Sequence, residues 1–203
     1  MSQTGSVTQL QLAQKIVARI VHDMVSPIGA ISNGVELLSL MPSVPAPELS
    51  LIDESCAAAA SRLRMFRLAF GSHKETDVFS HADSIALVKD CAMDGRCQLQ
   101  WNCHHDIPRR DAQLAVLAML CFRSALPRGG QIMIDEKNDL WTISCDCETM
   151  QVERSLWHII SGMNDGSDIQ SMHIQFLALR LNLLAAGKDV DLDLFGSSPI
   201  IRF

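Results

Sequence analysis

The chain has 203 residues, of which 48% are hydrophobic and 20% charged, and its formal net charge is −6. That length suits one large or two small domains with a core that needs no staples, and the acidic balance argues against non-specific nucleic-acid binding. No apolar run reaches membrane-spanning length, no signal peptide is visible, and seven cysteines without a C-x-x-C pair read as reduced thiols of a cytoplasmic protein.

Residues 1–7 are polar and expected to fray. Thr8 with Gln11 forms a capping-box start, and the pattern predicts a helix from Gln9 to Leu40. Apolar residues recur at Leu10, Ala13, Val17, Ile20, Met24, Ile28, Ile31, Val35 and Leu38, in steps of three and four that suit a helix seated in a bundle. At roughly 100° per residue, His22 lies about 160–200° from Ile20 and Met24, so it turns outward. Its neighbours on that face, Ala18, Ser26, Gly29 and Asn33, are small or polar and are candidate docking positions for a partner. Asp23 follows at once, and Pro27 predicts a kink. A lone surface histidine needs no explanation. One with an adjacent carboxylate, a cleared face and a proline break is a candidate nucleophile that another protein can approach.

Three prolines between Met41 and Pro47 predict a turn, and a second helix runs to Phe70, where Gly71 stops it. Its stripe is Leu49, Ile52, Cys56, Ala59, Leu63, Phe66 and Phe70. A short connection makes the two helices antiparallel neighbours. Two such stripes cannot be covered by each other alone. A second copy of the hairpin, giving a dimeric four-helix bundle, is the economical solution; the alternative is packing on the rest of the chain. Counting outward from the turn puts Phe66 or Arg67 level with His22. Arg62, Arg64 and Arg67 cluster there, and Lys15 and Arg19 precede His22. Singly, each cation reads as part of a solvated face. Together, Lys15, Arg19, Arg64 and Arg67 suit docking of a phosphorylated or acidic partner.

Residues 72–79 read as a polar linker. Beyond it, Ser80 and Asp83 cap a helix over Ile85 to Ala92, Cys97 to Cys103 alternates as a strand, and Asp111 to Leu126 is a strongly apolar helix. Gln131 to Ile134 and Leu140 to Cys145 form a hairpin, Gln151 to Ile160 and Asp168 to Ala186 are helical, and Val190 to Leu194 pairs with Pro199 to Phe203. The expected class is α+β: a helical hairpin over 1–71, then an α/β sandwich over 80–203 with helices on one mostly antiparallel sheet. Cys103, His104 and His105 come nearest to a metal cluster, but adjacent residues rarely converge on one ion, so no metal site is expected.

The stretch VHDMVSP resembles the phosphoacceptor box of bacterial sensor histidine kinases, where a histidine, an acidic residue and a proline five positions on stand on the first helix of a dimeric hairpin. The longer HDMVSPIGAISNGVELL resembles the ChpT-type histidine phosphotransferases of alphaproteobacterial phosphorelays. The resemblance covers nearly the whole chain and is specific at the histidine box. It implies a homodimer with His22 as phosphoacceptor. It also implies receiver domains of response regulators as partners, a hybrid histidine kinase receiver as donor, and cell-cycle or motility regulators downstream. Asp23 then suits the role of orienting the imidazole. Magnesium would come from the receiver, so this chain needs no cofactor.

The later half resembles the kinase ATP-binding domain in element order. A kinase carries asparagines where Leu120 and Ser124 stand, a glycine soon after the aspartate at Asp146, and a glycine-rich turn near His173 and Gln175. Here Cys147 follows Asp146, and Asn164-Asp165-Gly166 reads as an ordinary turn. The resemblance therefore implies an ATPase-like shell without a nucleotide site. Three functions compete: a histidine phosphotransferase, an ATP-dependent sensor kinase core, which the missing glycines disfavour, and a non-catalytic dimeric docking module.

Overall fold

Two long helices lead into a layered α/β half. The computed structural model describes residues 8–39, 46–92, 95, 97–195 and 198–203. The expected frayed start and most of the expected proline turn lie outside these residues. Helix α1 spans Gln9–Ser39 and α2 spans Ala46–Phe70. The backbone N–H of Thr8 donates to Gln11 Oε1 at 2.9 Å and that of Gln11 to Thr8 Oγ1 at 3.2 Å, which closes the capping box.

The stripe expected on α1 proves to be two faces. Leu12, Ile16, Ile20 and Met24 pack against the core of the same chain. Leu10, Val17, Val21, Ile28 and Val35 are exposed. At about 100° per residue the second set lies about 60–100° round from Ile20, so steps of three and four alone merge the two. Helix α2 divides in the same way. Met65, Phe66, Leu68 and Ala69 are buried, whereas Leu49, Cys56 and Leu63 are exposed. Phe66, expected in a shared stripe with Leu63, therefore belongs to the core.

Strand β1 (Val78–Phe79) falls inside the stretch read as a linker and pairs antiparallel with β3 (Ile107–Pro108). Two residues are too few to show alternation. Helix α3 (His81–Ala92) starts four residues earlier than the apolar pattern suggests, directly at its capping box: Ser80 N–H donates to Asp83 Oδ2 at 2.9 Å, and Asp83 N–H to Ser80 Oγ at 3.2 Å. The main sheet combines β2 (Cys97–Trp101), β4 (Gly130–Lys137), β5 (Leu140–Asp146), β6 (Asp191–Asp193) and β7 (Ile200–Arg202), in the order β2-β4-β5-β7-β6. The β2–β4 pair is parallel and the other three are antiparallel. The β4–β5 turn has Asn138 and Asp139 at φ 53° and 63°, the left-handed pair of a tight two-residue hairpin.

Helix α4 (Arg109–Ala125) is the centre of the core, with every residue from Ala112 to Phe122 buried. It packs against α2, the sheet and α6 (Ile174–Ala185). Phe122, Trp157 of α5 (Arg154–Ser161) and Phe176 form a ring cluster with centroids 5.5 and 5.2 Å apart. Gln113 Nε2 donates to the carbonyls of Ala69 and Gly71 at 3.1 and 3.0 Å, so α4 caps the end of α2. Helix α6 begins later than expected. Asn164 and Asp165 accept from the N–H groups of Gly166 and Ser167 at 3.0 and 2.9 Å, turns that compete with helix, and a 3₁₀ turn at Ser171–His173 precedes α6. No helix among the described residues is long and apolar enough to cross a membrane.

The hairpin is close-packed at Gly34, where a Cβ would stand 2.6 Å from Ile52 Cγ1. Gly34→Val should destabilise the chain by about 1–3 kcal/mol through overpacking. The expected readout is a lower urea midpoint at unchanged slope.

Candidate functional site

His22 stands midway along α1 with its side chain 71% exposed, as the outward angle predicts. Its Nδ1 lies 3.0 Å from Asp23 Oδ1. The other oxygen of the same carboxylate, Oδ2, lies 3.1 Å from Arg19 Nη2. Arg19 Nη1 in turn donates to the carbonyl of Met172 at 2.5 Å, and Lys15 Nζ donates to that of Ile169. Two cations read from the sequence as docking groups therefore also hold α1 to the segment before α6. The result is a chain of fixed contacts from the Met172 backbone through Arg19 and Asp23 to the imidazole.

Pro27 is buried in the interior of α1 and the helix continues through it. Proline has no N–H, so the carbonyl four residues back, that of Asp23, loses its helical donor. Arg62 of α2 supplies one instead, with Nη1 3.0 Å from Asp23 O. The proline thus opens an acceptor beneath the candidate histidine, and the second helix fills it.

A groove beside His22 is lined by Arg19, Asp23, Arg62, Arg123, Ser124 and His173, among others. Its lining carries three guanidinium groups and one carboxylate, in a chain whose net charge is −6. Burial pulls the Arg123 pKa below its ordinary value, but a guanidinium stays charged across the physiological range. Burial also lowers the His173 pKa, and its Nδ1 is buried without a hydrogen-bond partner among the described residues.

The basic cluster inferred from helix height is divided by the groove. Arg62 faces the groove. Arg64 and Arg67 stand about 200° and 140° round the helix and do not line it. Arg64 instead makes a two-pronged contact with Asp90 of α3 at 2.8 and 2.6 Å, and that hydrogen bond raises its pKa. Ala18, Ser26 and Asn33 are exposed beside His22, with Gly29 half-buried. Arg123 went unnoticed in the sequence, although it is the one charged residue between Asp111 and Arg128, in a helix otherwise apolar, and that isolation is a usable signal.

The kinase-like positions divide. Leu120, Ser124 and His173 reach the groove, Gln175 is buried within α6, and Asp146 is exposed at the end of β5, opposite Gln131. Far from the groove, Cys103 and His105 come together with Glu136 despite their closeness in sequence, whereas His104 packs edge-on against His81.

A family model described as the histidine phosphotransferase C-terminal domain matches residues 81–196. It covers more than half of the chain, which therefore belongs to this histidine phosphotransferase family. The chain is 29% identical over 136 residues to the protein phosphotransferase ChpT of Brucella abortus (strain 2308), across 66% of this chain and 65% of that protein. The match thus spans just under two thirds of the relative's length. A solved bacterial phosphotransferase superposes with a TM-score of 0.80 at 23% identity, over 99% of both chains, so the two share a fold. The histidine kinase AdeS of Acinetobacter baumannii superposes with a TM-score of 0.44 at 10% identity, over 89% of this chain and 95% of that one.

The Pro27–Arg62 relation predicts a double-mutant cycle. Arg62→Met should cost about 1–2 kcal/mol by orphaning the Asp23 carbonyl. In a Pro27→Ala background the helix supplies its own N–H, and the same change should cost less than half as much. Equal costs in urea unfolding would break the link between the two residues.

Proposed function

We propose that the chain takes a phosphoryl group from the aspartyl phosphate of a receiver domain onto His22 and passes it to a second receiver. The observation that carries this reading is the 3.0 Å contact between His22 Nδ1 and a carboxylate itself held by Arg19. With its proton on Nδ1, donating to Asp23, the imidazole presents the lone pair of Nε2 outward. Nε2 attacks phosphorus, the P–N bond forms as the bond to the aspartyl oxygen breaks, and the aspartate leaves as a carboxylate. Asp23 stabilises the positive charge that develops on the ring. The receiver's acidic pocket supplies magnesium, and Arg62 and Arg123 offset the negative charge of the incoming phosphoryl group.

Gly29 supports protein docking at this face. A Cβ there would meet nothing within 4 Å, so packing inside the chain gives no reason for glycine. A helix-interior glycine costs roughly 0.5–1 kcal/mol relative to alanine. Close approach of a partner backbone over Ala18, Ser26, Gly29 and Asn33 accounts for it.

The same reading makes the protein a cytoplasmic homodimer. Leu10, Val17, Val21, Ile28 and Val35 of α1 and Leu49, Cys56 and Leu63 of α2 are exposed in steps of four and seven. Both stripes are rotated in the same sense from the α1–α2 contact, so in an antiparallel pair they face one side. A second hairpin on that side completes a four-helix bundle. The α/β half then serves as an ATPase-like shell without nucleotide. Leu120 stands where a kinase has an asparagine, and no glycine follows Asp146 closely. We assign a hybrid kinase receiver as donor and a cell-cycle regulator as acceptor.

His22→Ala should abolish acceptance of label from a radiolabelled phospho-receiver and leave the fold intact, because an exposed side chain leaves no cavity. Asp23→Ala should slow transfer by about 10²-fold, the low end of acid–base effects. Label on His22→Ala would refute the assignment. The dimer has its own test. Val17→Glu with Leu63→Glu should give a folded monomer in light scattering, since both side chains are exposed. A wild-type monomer would refute the seam.

A further inference from the structure

Strand β2 runs parallel to β4 with Trp101 level with Ile134. Carried two residues further, that register sets Cys103 beside Glu136. Asn102 N–H donates to the Ile134 carbonyl at 2.9 Å and Asn102 Nδ2 to Asp135 Oδ1 at 2.7 Å, so the extension is held in place. In extended chain residues two apart share a side, which brings His105 to the same spot as Cys103 and turns His104 away. Cys103 Sγ lies 3.6 and 3.7 Å from the two ring nitrogens of His105, and His105 Nε2 lies 3.6 Å from Glu136 Oε2. One donor atom from each of the three residues fits within 4.8 Å.

We propose that Cys103, His105 and Glu136 bind a transition-metal ion, with Zn²⁺ as the natural occupant. Zinc takes sulfur at about 2.3 Å and nitrogen or oxygen at about 2.0 Å, so tetrahedral donors sit roughly 3.3–3.6 Å apart. The Cys103–His105 and His105–Glu136 separations are close to that, and Cys103 Sγ lies within 4.8 Å of the Glu136 carboxylate. The mixed thiolate, imidazole and carboxylate set selects zinc over magnesium or calcium. Glu136 is already oriented: its Oε1 accepts from the Asp139 N–H at 2.8 Å, which leaves Oε2 toward the cluster. On binding, the Cys103 thiol gives its proton to solvent and sulfur takes the metal. A water completes the coordination on the open side, where the His105 side chain is 64% exposed. His105 precedes the start of α4, whereas the groove is lined by Leu120, Arg123 and Ser124 in its second half, at least eleven residues or roughly 16 Å of helix further on. The metal therefore acts as a staple between the β2–β3 connection and β4, independent of phosphoryl transfer.

The test is titration of the reduced, metal-stripped full chain with Co²⁺ alone, followed by displacement with Zn²⁺. One equivalent of cobalt should give a sulfur-to-cobalt charge-transfer band in the near ultraviolet and tetrahedral bands in the visible. His104→Ala should bind as wild type does. His105→Ala and Glu136→Gln should each weaken binding at least tenfold, and Cys103→Ser should remove the near-ultraviolet band. Because Cys103 is buried, the double variant His105→Ala with Glu136→Gln gives a second reading that leaves the core thiol in place. Zinc should raise the melting temperature of wild type and not that of the double variant. Absence of a one-to-one cobalt spectrum, or its persistence in the double variant, would overturn the site.

Discussion

Burial of α4 is the constraint from which the rest follows. A helix with no watered side along eleven consecutive residues must be covered all round, and the sheet reaches only one side of it. The remaining cover comes chiefly from α6 and α2, with Trp157 of α5 packed on Phe122. The docking of α2 sets the position of the hairpin, and with it the height of His22 over the end of α4. Arg123 is tolerated there because it lies in the last turn, where a helix favours positive charge and where the groove opens.

The His22 side chain is exposed, yet its orientation is set by half-buried groups. Each partner has its own holder. Asp23 is held by Arg19 through its carboxylate and by Arg62 through its carbonyl, and Arg19 is held by a backbone carbonyl of the other half of the chain. A proline that would weaken an ordinary helix opens the second of these contacts. Helical continuity and the geometry of the site are therefore linked at one residue.

Caps and periodicity made most of the fold legible in the sequence. The Thr8 and Ser80 boxes mark their helix starts, and alternation marks β2. The outward angle of His22 and its neighbouring carboxylate needed no tertiary information. What failed did so for definable reasons. Steps of three and four do not distinguish one wide apolar stripe from two adjacent ones, so Phe66 was grouped with Leu63. Height along a hairpin does not give azimuth, so it does not separate Arg62, which lines the groove, from Arg64 and Arg67, which do not. Two-residue strands carry no period. Adjacency in sequence disguised the convergence of Cys103 and His105, because the third residue, Glu136, comes from a neighbouring strand through a parallel register that no local pattern encodes.

The grip of Lys15 and Arg19 on the segment before α6 has an evolutionary side. Both recognise main-chain oxygen, Lys15 at Ile169 and Arg19 at Met172. Any residue with the same backbone path offers the same acceptors. The two cations are thus constrained in identity, whereas the exposed Met172 is held through its carbonyl and can drift; Ile169 stays apolar because its side chain is buried in the core. The surface beside His22 can therefore change its chemical character at Met172 over generations without loosening the joint that fixes α1 there.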